Sequence, residues 1–536
     1  MPKSASDSHS DSYTAAMTQK KQTPEPWRQA RLSKDAGFDG QFLFAVRTTG
    51  IFCRPSCPAP TALENNVEYF QRVYEALEHG YRPCFRCRPD LGPEDHVAQA
   101  GGGQRVQAAL ENIQAGFLNG HSVDELAVAV NTSPRQLRKL FDQHLGSPPV
   151  RIASYHKALF ARRMVVYSHR SMTDIAFASG FGSVRQFNSV FRQLFGQSPT
   201  EARQILSSTL PMEQKEQNTQ LLKYQSPFHF DVLLAFLKSR AIAGVEHVSE
   251  DAYWRSFRVP IGRADGQVQW ASGYLVVRDC PEQSALGLSI HCDDVRCIMP
   301  VTQRVRRMFD LDANLDVIRQ RFEQEPLLAN GLQQDKSVPR LPVAFDAYEF
   351  AIRAILGQQV SVKAANTLAA RLVQKAAVAT TGDFPETLPH FFPAPETLLA
   401  TDLSDIGLTS TRQNTIRSVL EALISGSVRF DIGQVFDEFH REFSSIKGIG
   451  DWTVNYVAIR GMGMKDCFPA ADLGIIKALS AQQPDSGKLT TRQIQRLAED
   501  WRPYRSYAAL CLWNQSSATH QENPCTTPDL KPDSAT

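Results

Sequence analysis

Two groups of residues in this chain have the types and spacing to do chemistry. Cys53 and Cys57 are spaced CxxxC, Cys84 and Cys87 are spaced CxxC, and 26 residues separate the pairs. Two short-spaced thiol pairs can converge on one tetrahedral Zn²⁺, each thiolate at about 2.3 Å. Such a site either staples a small domain or, because bound zinc keeps thiols deprotonated at neutral pH, supplies a nucleophilic sulfur. The second group lies in FSSIKGIGDWTVNYVAIRG (443–461) and DCFPAADLGIIKAL (466–479). There a helix ends, KGIG makes a tight turn, and a new helix opens at Asp451: a helix-hairpin-helix. Gly448 and Gly450 allow the turn's N–H groups to approach a DNA phosphate, and Lys447 beside them faces it. Asp472 opens the next apolar helix. Two jobs suit it: a carboxylate that stabilises developing positive charge and positions a water, or a helix N-cap.

The elements that must position these residues divide the chain. With 536 residues it is too long for one hydrophobic core. Its 42% apolar and 21% charged residues have the balance of a globular protein, and no apolar run is long enough to cross a bilayer. The first twenty residues lack a signal peptide's apolar stretch, so export is not expected. Residues 1–26 read as a disordered tail, 27–92 as a compact Cys-rich domain, and the Gly-rich 93–103 as a linker. Residues 104–206 form a run of short helices, and 207–220 a second polar linker. In 221–338, β-prone runs at 253–260, 268–270, 274–278 and 285–291, with helices near 228–239 and 297–309, predict a small α+β domain. Helical periodicity dominates 339–515, and 516–536 is a polar tail. The fold class is therefore multidomain, mainly α with α+β parts.

Net charge is only +2, but 104–205 holds 12 Lys+Arg against 6 Asp+Glu. Within it, 122–149 and 171–203 repeat one layout: a short helix with small residues, a turn, and a second helix bearing Arg, Gln or Asn. These are two helix-turn-helix units whose second helices suit successive major grooves. Candidate DNA contacts are Arg135, Gln136 and Arg138 on the first, and Arg185, Gln186, Asn188 and Arg192 on the second. Leu126, Leu137, Phe141, Ile175, Phe181, Phe187 and Phe191 fall at core spacing.

Resemblances to known families sharpen this. FLFAVRTTGIFCRPSCPAP (42–60) with GYRPCFRCRPD (80–90) resembles the N-terminal zinc domain of the Ada DNA-repair methyltransferases. The resemblance implies that Cys53 is both zinc ligand and acceptor of a methyl group from a DNA methylphosphotriester, with Cys57, Cys84 and Cys87 as the other ligands. A Zn²⁺ tetrathiolate carries a net −2, and methylating one thiolate leaves −1, which should strengthen DNA binding. Arg47, Arg54, Arg82, Arg86 and Arg88 surround the cysteines as candidate phosphate contacts. The double helix-turn-helix resembles AraC-type activators through DIAFASGF and GQSPTEAR.

The hairpin followed by Asp472 resembles the HhH-GPD superfamily of base-excision glycosylases. LPVAFDAYEFAIRAILGQQVSVKAA (341–365) and WRPYRSYAALCLW (501–513) resemble its AlkA branch, the 3-methyladenine glycosylases, over about 221–515. That resemblance makes Asp472 catalytic. It places Trp452, Tyr456 and Trp513 along the pocket, where aromatic faces attract cationic alkylated bases. It also maps the residue inserted into DNA, apolar in AlkA, to Gln359. Bifunctional relatives carry a lyase Lys where this chain has Trp452, so a monofunctional hydrolase is expected. Only Cys511 and Cys525 lie at the C-terminal end, so no iron–sulfur cluster is expected. No PCHR motif occurs, so direct repair of methylguanine is not expected.

Together these imply one Zn²⁺, double-stranded DNA and RNA polymerase as partners, no membrane, a monomer, and a bacterial cytoplasmic, nucleoid-associated protein. The competing reading is a zinc-dependent DNA-binding regulator whose glycosylase-like half has lost catalysis.

Overall fold

The computed structural model describes residues 25–84, 87, 89, 103–207, 219–264, 267–313, 315–333, 335–482 and 489–521. The chain forms two compact units, residues 1–92 and 93–536. The sequence-stretch 208–218, most of the linker at 93–103 and of both tails lie outside the described residues.

In the first unit, β1 (Leu43–Val46), β2 (Ile51–Cys53), β3 (Val67–Phe70) and β4 (Arg82–Pro83) make a sheet in the order β3–β1–β2–β4. Antiparallel β1 and β2 place Phe44 opposite Cys53, and β4 runs parallel to β2. Helices α1 (Glu25–Ser33) and α2 (Val73–Glu78) flank it. The core is small: Phe42, Phe52 and Tyr74 are fully buried, and Trp27 stacks on Phe42 at 4.9 Å. Arg31, buried on α1, bonds the Tyr69 hydroxyl at 2.9 Å and pairs with Glu64, fastening α1 to β3.

The second unit opens with α3 (Gly103–Gln114), α4 (Val123–Ala129), α5 (Pro134–Leu145), α6 (Pro149–Tyr167), α7 (Met172–Ala178), α8 (Val184–Phe195) and α9 (Pro199–Ser207). Ser122, Ser133, Ser171 and Ser183 cap α4, α5, α7 and α8, each accepting from the N–H three residues on. All seven residues assigned to the core of this segment are buried.

An antiparallel sheet follows, in the order β5–β9–β8–β7–β6. Its strands are β5 (Thr219–Lys223), β6 (Glu246–Val248), β7 (Ala252–Ala264), β8 (Gln267–Cys280) and β9 (Ala285–Cys292), with α10 (Phe230–Lys238) and α11 (Ile298–Met308) packed on it. Two expectations are corrected here. Thr219 and Gln220, read as linker, begin a strand because Thr219–Lys223 finds open edge groups on β9. The runs at 268–270 and 274–278 are one strand: Gly273 does not break it but pairs with Cys292, where a Cβ would lie 2.1 Å from the His291 carbonyl. The helix-turn-helix segment also shares a core with this sheet. Phe160, Phe187 and Phe191 belong to one cluster with Leu222, Leu275 and Val277. Arg170 Nη2 donates to the Ile290 carbonyl at 3.2 Å, and Asn112 Nδ2 to that of Ile432 at 2.6 Å.

The remaining helices are α12 (Leu315–Phe322), α13 (Pro326–Ala329), α14 (Ala347–Leu356), α15 (Val362–Ala376), α16 (Pro395–Ala400), α17 (Ser410–Ile424), α18 (Phe436–Ser444), α19 (Asp451–Arg460), α20 (Leu473–Gln482), α21 (Thr491–Glu499) and α22 (Arg505–Gln521). Their core is continuous, with Ile355, Phe439, Phe443, Val457, Trp501 and Tyr507 buried within it.

A buried ionic network joins sheet to helices. Arg255 on β7 bonds Glu246 at 3.1 Å and pairs with Glu349 on α14, while Arg353 reaches both carboxylates at 3.1 Å. Burial alone would raise the Glu246 carboxyl, but Arg353 and Arg255 more than offset it and hold it below the usual range. Glu246→Gln should therefore lower the urea midpoint at pH 7, because breaking a buried pair on one side costs about 3–5 kcal/mol. A carboxyl lowered on folding contributes stability above its unfolded pKa and loses it as pH falls through the folded one. The gap between wild type and variant should thus narrow below about pH 4.3, which urea titrations across pH will check.

Candidate functional site

In the first unit all four cysteine sulfurs lie within 4.8 Å of one another. Cys53 ends β2; Cys84 follows the parallel strand β4, its N–H bonded to the Phe52 carbonyl at 2.9 Å. A turn closed by Cys57 N–H to the Arg54 carbonyl, 3.1 Å, brings Cys57 back beneath them. Cys53, Cys57 and Cys84 are buried and Cys87 is half-buried. A tetrahedron of 2.3 Å zinc–sulfur bonds needs sulfurs about 3.8 Å apart, and Cys57 and Cys84 stand at 4.0 Å. The Cys53 thiol is pushed far up, first by its hydrogen bonds to Cys84 and Cys87 and then by burial. Four such thiols ionise together only around a cation, so the donor set fits zinc.

Of the arginines expected at phosphates, Arg47 lies 3.8 Å from Glu68 and Arg54 3.9 Å from Asp39. Arg82 is half-buried, and Arg86 and Arg88 fall outside the described residues.

On α5, Arg135, Gln136 and Arg138 are exposed, as are Arg185, Gln186, Asn188 and Arg192 on α8. Each set flanks a buried residue of its helix, Leu137 or Phe187. Two of these side chains have local partners. Arg138 is 3.5 Å from Asp124, and the Gln186 side-chain oxygen accepts from the Gly182 N–H at 3.2 Å.

The hairpin of α18 and α19 forms as expected, but its two glycines do different work. Gly448 has φ +96°, and a Cβ there would meet Thr415 Oγ1 at 2.2 Å. Gly450, the residue before α19, is extended and faces open space. No packing contact requires a glycine there. Lys447 is exposed, and Thr415 donates to its carbonyl at 3.2 Å.

Twenty residues after Trp452, Asp472 makes the helix cap that was one of its two expected jobs. Its Oδ1 accepts from the N–H groups of Gly474 (2.9 Å) and Ile475 (3.2 Å), capping α20. The same carboxylate accepts from two indoles, Trp452 Nε1 on Oδ2 at 2.8 Å and Trp513 Nε1 on Oδ1 at 2.9 Å. Tyr456, one turn beyond Trp452 on α19, stacks on it at 4.9 Å and meets Trp513 edge-on at 6.3 Å. The three aromatic residues and the aspartate form one half-buried wall. Gln359 is exposed with φ +55°, beside exposed Val360 and Val362.

Three supports were not legible in the sequence. Gln358 donates to the Gly448 carbonyl at 3.1 Å and to Thr453 Oγ1 at 3.2 Å, tying the Gln359 loop to the hairpin. Thr415 comes from α17, thirty residues upstream, with no local motif to mark it. Arg460 is buried 5.4 Å over the Trp513 ring, and desolvation brings its guanidinium down to about 10.

A thiol cluster of zinc type, paired helix-turn-helix units and a hairpin leading to a carboxylate in an aromatic wall define a DNA-repair protein that also carries a regulator's DNA-binding module. Comparison with known proteins agrees along the chain. Residues 26–90 match the metal-binding domain of Ada, and 126–205 a helix-turn-helix domain. Residues 219–346 match the AlkA N-terminal domain, and 352–503 the HhH-GPD superfamily of base-excision DNA repair proteins. A probable bifunctional transcriptional activator/DNA repair enzyme AlkA of Mycobacterium tuberculosis is 34% identical over 90% of this chain and 94% of its own length. DNA-3-methyladenine glycosylase 2 of Escherichia coli is 32% identical over 54% of this chain and 95% of its own. The bifunctional activator/repair enzyme AdaA of Bacillus subtilis is 28% identical over 38% of this chain and 95% of its own. The chain belongs to the family of fused Ada–AlkA bifunctional transcriptional activator/DNA repair enzymes.

The unequal glycines give a direct check. Gly448→Ala must strain a left-handed backbone and displace Thr415, and should cost more than about 1 kcal/mol. Gly450→Ala should stay within about 0.5 kcal/mol in thermal melts, yet weaken DNA binding if phosphate approaches there.

Proposed function

We propose that this chain carries out three linked steps of an alkylation response: stoichiometric methyl transfer from DNA methylphosphotriesters to Cys53, methylation-dependent transcription activation, and hydrolytic excision of bases such as 3-methyladenine. The observation that carries the glycosylase step is the Asp472 carboxylate held between the Trp452 and Trp513 indoles.

Those hydrogen bonds and the α20 cap fix the carboxylate's direction. The N-glycosidic bond of an N-alkylated base is already weakened by the base's positive charge. Tyr456, Trp452 and Trp513 offer π faces to that cation. As the bond lengthens, charge passes to the sugar, and Asp472 stabilises it while orienting the attacking water. Trp452 holds the lyase Lys position and presents an N–H to the carboxylate instead of an amine to the sugar. Gln359, exposed on its loop, enters the gap left by the extruded base as a polar plug. Lys447 and the N–H groups around Gly448 and Gly450 take a phosphate.

In the first unit, a Zn²⁺ held by Cys53, Cys57, Cys84 and Cys87 would supply the charge that keeps their thiolates ionised. Cys53 sulfur attacks the methyl carbon, and the phosphate oxygen leaves as a diester anion. Water does not cleave the S-methyl thioether that forms, so each molecule turns over once. Repulsion of DNA by the cluster falls by one charge, and the exposed faces of α5 and α8 bind the promoter more tightly. The domain limits set out above, one Zn²⁺ per chain, no iron–sulfur cluster, RNA polymerase as partner, a monomer, and a cytoplasmic, nucleoid-associated place belong to the same proposal. Among the described residues no helix is long and apolar enough to cross a membrane. The inactive-regulator reading is disfavoured because the carboxylate and both of its indole donors are present together.

Asp472→Asn should lower excision of methylated bases by on the order of 10²–10³ with DNA binding kept. The new amide must face one indole N–H, donor against donor, so a melting curve should accompany the rate. Wild-type reactions should give strand breaks only after alkali; breaks without it, or borohydride-trapped adducts, would reverse the monofunctional assignment.

For the first unit, labelled-methyl DNA should transfer one methyl per molecule to Cys53. The gain in promoter affinity should shrink as salt rises. Label mapped to Cys57 or Cys84 would refute the assignment. Metal analysis should give one zinc per chain, lost in Cys84→Ser.

A further inference from the structure

The helix-turn-helix segment and the sheet share a core, but at one place their surfaces part. A cavity of about 440 Å³ opens between the end of α3 with the turn after it (112–121), the paired ends of β7 and β8 (259–262 and 268–270), and α11. Its walls are braced against one another. Asn112 holds the Ile432 carbonyl at 2.6 Å, and Asn119 Nδ2 donates to the Met299 sulfur at 3.7 Å. Gly120 runs so near β7 that a Cβ on it would lie 3.3 Å from Gly262 Cα. The volume falls in the range of about 300–1,000 Å³ common to small-molecule pockets. None of Trp452, Tyr456, Asp472 or Trp513 lines it, so it is separate from the aromatic wall.

The charge of the lining is one-sided. Arg296, Arg304 and Arg307 line the cavity, and no Asp or Glu does. Two of these cations are matched from outside it, Arg296 by Asp294 at 2.6 Å and Arg304 by Asp346 at 2.8 Å. Arg307 is not: its Nη2 donates to a neutral acceptor, the Met462 carbonyl, at 3.1 Å. A guanidinium carries several N–H donors, and that carbonyl takes one of them. Burial lowers the Arg307 guanidinium, and Glu111 offsets this only in part. A cation so placed favours an anion in the space beside it.

The rest of the lining is aromatic and amide. Trp270 is 49% exposed, although an indole is among the larger apolar groups to leave in water. From the helix-turn-helix side come Phe117 and His121, stacked on each other at 4.4 Å. Asn119 and Gln303 add amides able to donate and accept.

We infer that this cavity is a binding site for a free mononucleotide, its base held against the Trp270 and Phe117 rings and its phosphate on Arg307. Each part of the lining removes an alternative. An inorganic anion leaves the rings unused, a neutral ring leaves Arg307 unmatched, and the arginines repel a cationic alkylated base. The amides suit a heterocycle with donors and acceptors better than a plain aromatic acid. A stacked duplex keeps its base faces covered and offers none to Trp270. The occupant touches both the helix-turn-helix segment and the sheet, so binding fastens that joint.

The test titrates the full-length, zinc-loaded protein in a calorimeter with deoxyadenosine monophosphate, deoxyadenosine and inorganic phosphate. The nucleotide should bind once per chain, at least about tenfold more tightly than deoxyadenosine, which lacks the charged contact. Arg307→Gln should weaken nucleotide binding by about 10–100-fold and leave deoxyadenosine unaffected. Trp270→Ala should weaken it by about 2–10-fold, with Trp270→Phe restoring most of the loss. Trp452→Ala should leave it unchanged, which separates this cavity from the aromatic wall at Asp472. Hydrogen exchange on the wild-type protein, which needs no variant to fold, should slow at 112–121 and 259–262 when the nucleotide is added. Three results would overturn the inference. They are no binding at about 1 mM nucleotide, slowed exchange at α19 and α22 instead, and wild-type nucleotide affinity in both Arg307→Gln and Trp270→Ala. Weaker duplex binding alongside that last result would make the surface a DNA contact instead.

Discussion

The Asp472 carboxylate accepts four N–H donors from three segments of the C-terminal half: Trp452 on α19, Trp513 on α22, and the first turn of α20. A half-buried carboxylate must be satisfied or pay desolvation. That requirement fixes how the hairpin, the following helix and the last helix meet. The hairpin's second helix carries Trp452, α22 supplies the far wall, and the start of α20 supplies the aspartate itself. Displacing any one leaves an orphaned donor or acceptor in the others. The site's geometry and the packing of this half are thus one constraint.

The same logic of shared satisfaction runs outward. Gln358 bonds the hairpin and holds the loop that carries Gln359, so that loop and the hairpin turn are fastened together. The Arg255–Glu246–Glu349–Arg353 network then ties α14, which leads into that loop, to the sheet. The sheet in turn shares its core with the helix-turn-helix helices. The helix-turn-helix segment and the glycosylase-type half are built into one unit rather than strung on a tether, because the apolar faces of α6, α8 and the sheet are buried against one another.

The zinc-type cluster follows a different rule. Its unit has a small core, and the four thiols sit where two parallel strand ends and a turn converge. There four thiols gathered at the edge of a small core fit a metal ion, whereas in the C-terminal half the fold stands on its own packing.

Much of this was legible in the residues. The CxxxC and CxxC pairs, the KGIG turn, the Asp472 helix start and the amphipathic helices of the DNA-binding segment are local patterns, and local hydrogen bonding and periodicity express them directly. The sequence, through its family resemblance, assigned Asp472 to catalysis over a plain helix cap, but it could not show that indoles twenty and forty-one residues away reach the same carboxylate. Thr415 under Gly448 and Arg460 behind Trp513 carried no readable motif. The polar stretch before Leu221 read as linker, yet Thr219 and Gln220 are strand, since an open edge on β9 outweighs local composition. What the sequence by itself determined was the chemistry each segment can offer. Which groups meet, and hence which of those chemistries share one site, was decided by long-range burial and hydrogen-bond satisfaction, which only the tertiary fold supplies.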